Sequence, residues 1–265
     1  MNFAAHTSLL GAESAIISAV GNDDLGYSAK EYVESFGILS KYIKTNRKQT
    51  GICDVRLDDR GVPSYSVRTD TAYDSIVITD GDTEQIRRER FDLFYFGTLI
   101  QRSERSSLAV KKLLSDCEFG EILCDVNLRN GCYSKESALL CLLNATFLKI
   151  SDEEEPLLAE LGIYEKKERT NIELAKMLTK AFPNLKVVII TMGQRGAFAY
   201  RASDGKSVYK EAKKVTLAST VGAGDSFAAA FAVSYLNGED LDEAMEKATA
   251  LAGFVCSHLD AVPKF

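Results

Sequence analysis

The sequence predicts an α/β fold, a mostly parallel sheet with helices on both faces and a small β flap. Three observations predict it. Short apolar runs at Leu93–Phe96, Glu121–Cys124 and Phe147–Ile150 each end in a polar turn followed by a helix-like segment, the alternation of a parallel sheet with crossover helices. The run Lys186–Thr191 is the clearest strand of the chain. Between these and the front of the chain the texture changes. Thr50–Leu57 and Ser64–Arg68 are strand-like and flank Asp58-Asp59-Arg60-Gly61, a hairpin signal that marks the flap.

In chain order, Asn2–Leu10 reads as a helix with Gly11 just beyond it. Ala15–Val20 is an apolar run stopped by Gly21-Asn22-Asp23-Asp24, which predicts a buried strand and a polar turn. A helix follows over about Tyr27–Phe36, then the flap over residues 46–72, then the alternating strands and helices. Near the end, Ala228–Leu236 is an alanine-rich helical run closed by Asn237-Gly238. There is no internal repeat or long linker, so residues 1–265 read as one domain with the flap inside it. Sites in such folds lie at the carboxyl ends of the strands.

Composition narrows the functions. A net charge of −6 argues against non-specific nucleic-acid or anionic-membrane binding. No apolar run reaches the roughly 18 residues needed to span a bilayer, and the first residues lack the basic start of a secretory signal. The six cysteines form no C-x-x-C pair, and His6 and His258 are the only histidines. A zinc site is therefore not expected, and the cysteines read as reduced thiols of a cytoplasmic protein.

The strongest local signal is Ser219-Thr220-Val221-Gly222-Ala223-Gly224-Asp225-Ser226-Phe227, which opens the alanine-rich run. Glycines let backbone approach a ligand closely, and helix N-terminal amides with the helix dipole favour a phosphate. A carboxylate at Asp225 would repel that phosphate if the loop only bound anions. It makes sense if Asp225 accepts a proton from an attacking hydroxyl. The alternative reading is an ordinary acidic residue at a helix start behind a tight turn. Spacing leaves the two open, since the loop is neither a Walker A sequence nor G-x-G-x-x-G.

Gly222-Ala-Gly-Asp-Ser-Phe227 resembles the signature of the ribokinase-like carbohydrate kinase family. Further segments are similar to the family's in the same order: Asn2-Phe-Ala-Ala with Leu9-Leu-Gly11, Val20–Gly26, Thr50-Gly51, Asp125-Val-Asn-Leu-Arg129, Lys149–Glu154 and Thr191–Gly196. Phe96–Arg102 leans toward the fructokinase-like branch. The resemblance covers nearly the whole chain. It implies a ribokinase-like fold and ATP-dependent phosphorylation of a primary hydroxyl on a small sugar, with fructose-like ketoses favoured. A nucleoside substrate, or a sugar- or nucleotide-binding protein of weak catalysis, are its rivals.

Carried over by position, the resemblance makes Asp225 the general base and a substrate contact, with Gly222, Ala223 and Gly224 donating amides to the transferred phosphoryl group. Asn2 would bind a sugar hydroxyl, and Glu154 would organise Mg²⁺ through water. Asn127 and Arg129 would face the phosphates, while Thr191, Gly193, Gly196 and Ser151 would line the nucleotide site. Plainer readings stand beside these: Glu154 as part of a solvated acidic helix start, Arg129 as a surface charge, Asn2 as a frayed terminus, both histidines as packed or exposed, and Arg87, Arg88 and Arg90 as a solvated helix face.

There are departures from the family pattern. Ser219 stands where the family usually has an aspartate linked to a monovalent cation, which argues against potassium activation. Ser151 replaces the usual asparagine, Thr249 occupies a position often asparagine near the base, and Asp260-Ala261 replaces a common Gly-Ala. The chain starts at the asparagine of the N-terminal substrate motif, so the resemblance implies a shortened front. The expected consequences are a sheet with a gap or an exposed edge and pairing with another chain, for which the flap is the candidate homodimer contact.

Overall fold

The computed structural model describes residues 1–57 and 63–264. Helix α1 (Asn2–Leu9) leads through Gly11 to strand β1 (Ser18–Gly21), helix α2 (Asp24–Glu34) and strand β2 (Ile43–Asn46). Of the expected strand Ala15–Val20 only Ser18–Val20 is strand, and it continues to Gly21, because Ala15 makes a single isolated bridge to Leu39. Helix α2 starts three residues before Tyr27, where the sequence placed it. The Asp23 carboxylate accepts the Gly26 N–H at 2.8 Å and caps the first turn.

The flap is the antiparallel hairpin β3 (Cys53–Leu57) and β4 (Pro63–Val67). Its expected turn, Asp58–Gly61, lies outside the described residues. The same Asp23 that caps α2 also accepts the Thr50 N–H at 2.9 Å, so one carboxylate joins α2 to the flap's entry. At the flap's exit, the Asp74 carboxylate receives Nε and Nη2 of Arg102 at 2.6 and 2.9 Å, and Arg102 also donates to the Arg68 carbonyl at 2.7 Å. Both side chains of this ion pair are 6% exposed.

The α/β alternation then runs as expected: α3 (Asp80–Glu89), β5 (Leu93–Gly97), α4 (Glu104–Asp116), β6 (Glu121–Asp125), α5 (Lys135–Asn144), β7 (Phe147–Ser151), α6 (Glu155–Glu160), α7 (Asn171–Ala181) and β8 (Val187–Thr191). Side-chain caps at Thr79, Ser103, Ser134 and Thr170 start α3, α4, α5 and α7. Strands β5 to β8 are parallel neighbours in chain order. Two further strands had no counterpart in the sequence reading: β9 (Ala197–Arg201) and β10 (Ser207–Lys210) extend the sheet antiparallel from β8. The final helices are α8 (Ala223–Leu236) and α9 (Leu241–Cys256).

Helices cover both faces. One core packs α5, α6 and α7 against β6–β8, and the other packs α8 and α9, with Phe3 of α1, against the opposite side. Burial on both sides explains why β7 and β8 read as continuous apolar runs rather than alternating ones. Helix α8 lies inside the second layer, with its alanines letting it approach sheet, α1 and α9 together.

The sheet is interrupted at its other side. Strand β5 is the last strand of the six-stranded sheet, and β1 pairs only with β2. Between them lies a cavity of ≈ 360 Å³ lined by Ala15, Ile17, Tyr42, Phe94, Phe96 and Leu113 among others. No helix among the described residues is long and apolar enough to cross a membrane.

Candidate active site

Asp225 sits in the first turn of α8, and Gly222 is its N-cap at φ +83°. A β-carbon on Gly222 would stand 2.5 Å from the Ala261 carbonyl oxygen, so this corner needs glycine for conformation and for space. The amides of this first turn have no intrahelical acceptor, though Ala223 N–H reaches the Thr220 carbonyl at 3.3 Å. The predicted cradle Gly222–Gly224 is thus a helix start with Asp225 at its mouth. Asn2 Nδ2 donates to Asp225 Oδ2 at 3.0 Å, which joins the predicted sugar-contacting residue to the predicted base.

Beneath the cradle lies a buried charged network. Lys149, from β7, donates to Asp125 Oδ2 at 2.8 Å, at the end of β6. The Tyr95 hydroxyl, from β5, lies 3.3 Å from that oxygen and 3.2 Å from Asp225 Oδ1. Burial pushes Asp125 up to about 6, and Glu154 and Asp225 add to that, against Lys149. Burial disfavours charge on Lys149, but Asp125 with its hydrogen bond, Glu154 and Asp225 outweigh it and hold the ammonium above its ordinary value. Burial, then Asp125 and Asp225, raise Tyr95 well above the usual phenol range, so it stays a donor. The Lys149 ammonium would be 3.4 Å from a β-carbon on Gly224, placing positive charge directly under the cradle.

The loops after β6 and β7 are tied together by Glu154. Its Oε1 accepts the Leu128 N–H and its Oε2 the Ser151 N–H, each at 2.7 Å. Ser151 in turn offers its hydroxyl oxygen to the Glu154 N–H at 3.3 Å. Asn127 has φ +43°, which turns the backbone sharply just after the strand end. Arg129, partly exposed, lies close enough to Tyr73 to act on it electrostatically. Glu154, the residue that opens α6, therefore clamps the loops after β6 and β7 together. No group of three His, Cys, Asp or Glu among the described residues is placed to hold a metal.

Thr191 ends β8 beside Ser151 of β7, and its carbonyl accepts the Asp152 N–H at 2.9 Å. The chain then turns through a short 3-10 segment, Gly193–Arg195, to Gly196 at φ +99°. A β-carbon on Gly196 would meet the Lys210 carbonyl at 2.0 Å. Arg195 pairs with Asp152, which brings this turn against the loop after β7. The carboxyl ends of β6, β7 and β8 and the start of α8 therefore converge on one region.

The plainer readings hold for several other residues. His6 is fully buried, with Nε2 2.9 Å from the Ala261 carbonyl, and burial lowers its pKa. His258 packs on Phe254 and bonds back to its own helix. Arg87, Arg88 and Arg90 are exposed. Thr249 Oγ1 donates to the Met245 carbonyl of its own helix at 2.8 Å. Ser219 Oγ accepts the Val221 N–H at 3.2 Å.

Sequence reasoning missed Tyr95 and Lys149, and it assigned Asp125 no role beyond its motif. One signal was present. A lysine inside the apolar run Phe147-Leu-Lys-Ile is costly to bury without a partner, which predicts a buried acid across the sheet.

The pfkB family carbohydrate kinase profile matches residues 1–264. The uncharacterized sugar kinase PH1459 of Pyrococcus horikoshii is 29% identical over 253 residues, covering 91% of this chain and 73% of that protein. Its crystal structure superposes with a TM-score of 0.80 at 25% identity, over 98% of this chain and 82% of that one. Fructokinase-2 of Oryza sativa subsp. japonica is 24% identical over 277 residues, covering 99% of this chain and 79% of that protein. A candidate ribokinase II from E. coli, solved in complex with ATP and Mg²⁺, shares the fold with a TM-score of 0.82 at 22% identity, over 99% of this chain and 83% of that one. With the ribokinase-like sheet, its two helical layers and the glycine-opened α8 in place, the chain belongs to the PfkB family of carbohydrate kinases.

Proposed function

We propose that this carbohydrate kinase transfers the γ-phosphoryl group of ATP to a primary hydroxyl of a small sugar, fructose-like ketoses being favoured, with Asp225 as general base. The observation that carries the reading is the Asp225 carboxylate at the mouth of the α8 N-terminus, oriented by Asn2 at 3.0 Å. The sugar O–H bond breaks as its oxygen attacks the γ-phosphorus, the proton passes to Asp225, and the bond from the γ-phosphorus to the β,γ-bridging oxygen breaks so that ADP leaves. Amides at Gly222–Gly224, with the Lys149 charge beneath them, meet the negative charge on the transferred group. Mg²⁺ would neutralise charge on the nucleotide phosphates, with Glu154 reaching it through water. Thr191, Gly193, Gly196 and Ser151 would line the nucleotide site, and Asn127 and Arg129 would face the phosphates.

The ketose preference is supported by the segment Phe96–Arg102 and by the plant fructokinase among the relatives. The test is turnover of a panel of ketoses, aldoses and a nucleoside with ATP and Mg²⁺, run beside equilibrium binding of the same compounds. Fastest turnover with a ketose supports the reading. Fastest turnover with the nucleoside would replace the substrate class, and tight binding without turnover would replace the activity.

A further inference from the structure

The buried group under α8 does more than fill the core. A buried Lys149–Asp125 pair is a weak source of stability, because desolvating both charges offsets their attraction. Its placement is more telling. Asp125 Oδ2 receives Lys149 and also faces the Tyr95 hydroxyl, whose oxygen is equally close to Asp225 Oδ1. A phenol has one hydrogen, so Tyr95 can donate to Asp125 or to Asp225, not to both. Asp125 already has the Lys149 ammonium, which frees the Tyr95 hydrogen for Asp225. The ring that carries the hydroxyl is stacked on Phe3 with centroids 3.9 Å apart and 3° between planes, so only the O–H is left to turn.

We infer that Tyr95 is a positioning residue for Asp225, a single donor that turns between two carboxylates, with the Lys149–Asp125 pair holding the second acceptor in place. While Asp225 is ionised, Tyr95 donates to its Oδ1 and Asn2 to its Oδ2, which fixes the carboxylate plane. When Asp225 takes up a proton, the Tyr95 hydrogen turns to Asp125 and its oxygen is left to accept. No proton is gained or lost by Tyr95 or Lys149 in this exchange, and Asp125 holds its charge at pH values above the value of about 6 to which burial raises it. The inference rests on Asp225 as the base only for its catalytic consequence; the exchange of donors is a property of the folded protein.

The experiment is a ¹³C-carboxyl NMR titration of the whole protein with labelled aspartate, the Asp225 and Asp125 signals being assigned by their loss in Asp225→Asn and Asp125→Asn. Tyr95→Phe removes one oxygen and keeps the ring on Phe3. Losing a donor to a charged group raises the Asp225 titration midpoint by about one pH unit. The other charged groups acting on this cluster are His6 and the Met1 amino group from the α1 side, Asp125, Lys149 and Glu154, and Tyr95→Phe leaves all of them in place. Uniform 3-fluorotyrosine, a stronger donor in the unaltered chain, moves the midpoint the other way and keeps the test open if Tyr95→Phe fails to fold. An Asp225 midpoint that stays put in whichever of the two proteins folds overturns the inference. In an active enzyme the acid limb of kcat follows the NMR shift. A shift in the NMR midpoint beside full turnover by Asp225→Asn would retain the donor exchange and discard Asp225 as the base.

Discussion

Asn2 and Asp225 are 223 positions apart in the chain and share a hydrogen bond of 3.0 Å. The contact places the first helix against the first turn of α8, so one carboxylate oxygen is already engaged by an amide before any substrate is present. Asn2→Ala removes that donor and a candidate sugar contact together. The expected outcome is a rise in KM for sugar and a fall in kcat of about tenfold, roughly 1.4 kcal/mol, with KM for ATP unchanged. Steady-state kinetics with each substrate varied in turn separates these, and a change confined to ATP would count against the placement.

Asp225→Asn keeps size and the Asn2 neighbourhood but cannot take a proton. In an active parent enzyme, kcat is expected to fall by about 10²–10⁴-fold while ATP binding persists. Calorimetric ATP binding beside turnover provides the check, and near-normal turnover by the variant would falsify the base assignment.

Glu154 holds the Leu128 and Ser151 amides, one on each oxygen. Glu154→Ala strands both donors, and each unsatisfied buried group costs about 1–3 kcal/mol. The variant should unfold at lower urea concentration and need more Mg²⁺ for half-maximal turnover. A lower urea midpoint with unchanged Mg²⁺ dependence would leave Glu154 as a clamp alone.

The flap's exit depends on Asp74 and Arg102. Burial pushes Asp74 up, but the Arg102 donors and the Thr71 N–H and hydroxyl together hold its pKa below the ordinary value. Its stabilisation is therefore complete above the unfolded-state value, about pH 4, and is lost as pH falls through the depressed folded-state value. Asp74→Ala leaves a buried guanidinium unpaired, which costs about 3–5 kcal/mol at neutral pH. Urea midpoints of parent and variant should converge as pH drops below 4; a constant difference would show that charge is not the cause.

Ser219 offers no carboxylate to a monovalent cation, and its hydroxyl is engaged with the Val221 amide. Replacing sodium by potassium at constant ionic strength is expected to leave kcat within about twofold, well under 1 kcal/mol. Strong potassium activation of the unaltered protein would show that backbone carbonyls alone build the site.

The sequence by itself determined the repeating strand–helix frame, because apolar period and turn residues are local properties that survive in one dimension. It also marked the Gly222–Asp225 corner, since a glycine at φ +83° pressed against Ala261 leaves few alternatives in that position. The polar turns after the runs Phe147–Ile150 and Lys186–Thr191 put Glu154 just past the end of one strand and Thr191 at the end of the next. What only the tertiary structure decided is which side chains meet across strands. Tyr95, Asp125 and Lys149 come from three successive strands of the sheet, and their meeting beneath Asp225 depends on the register of β5, β6 and β7. Strands β9 and β10, and the double use of Asp23 by α2 and the flap, depend likewise on long-range pairing. A strand's periodicity tells which face is buried, but not which residue of the next strand stands opposite. That is fixed only when the backbone hydrogen bonds of the sheet choose one register.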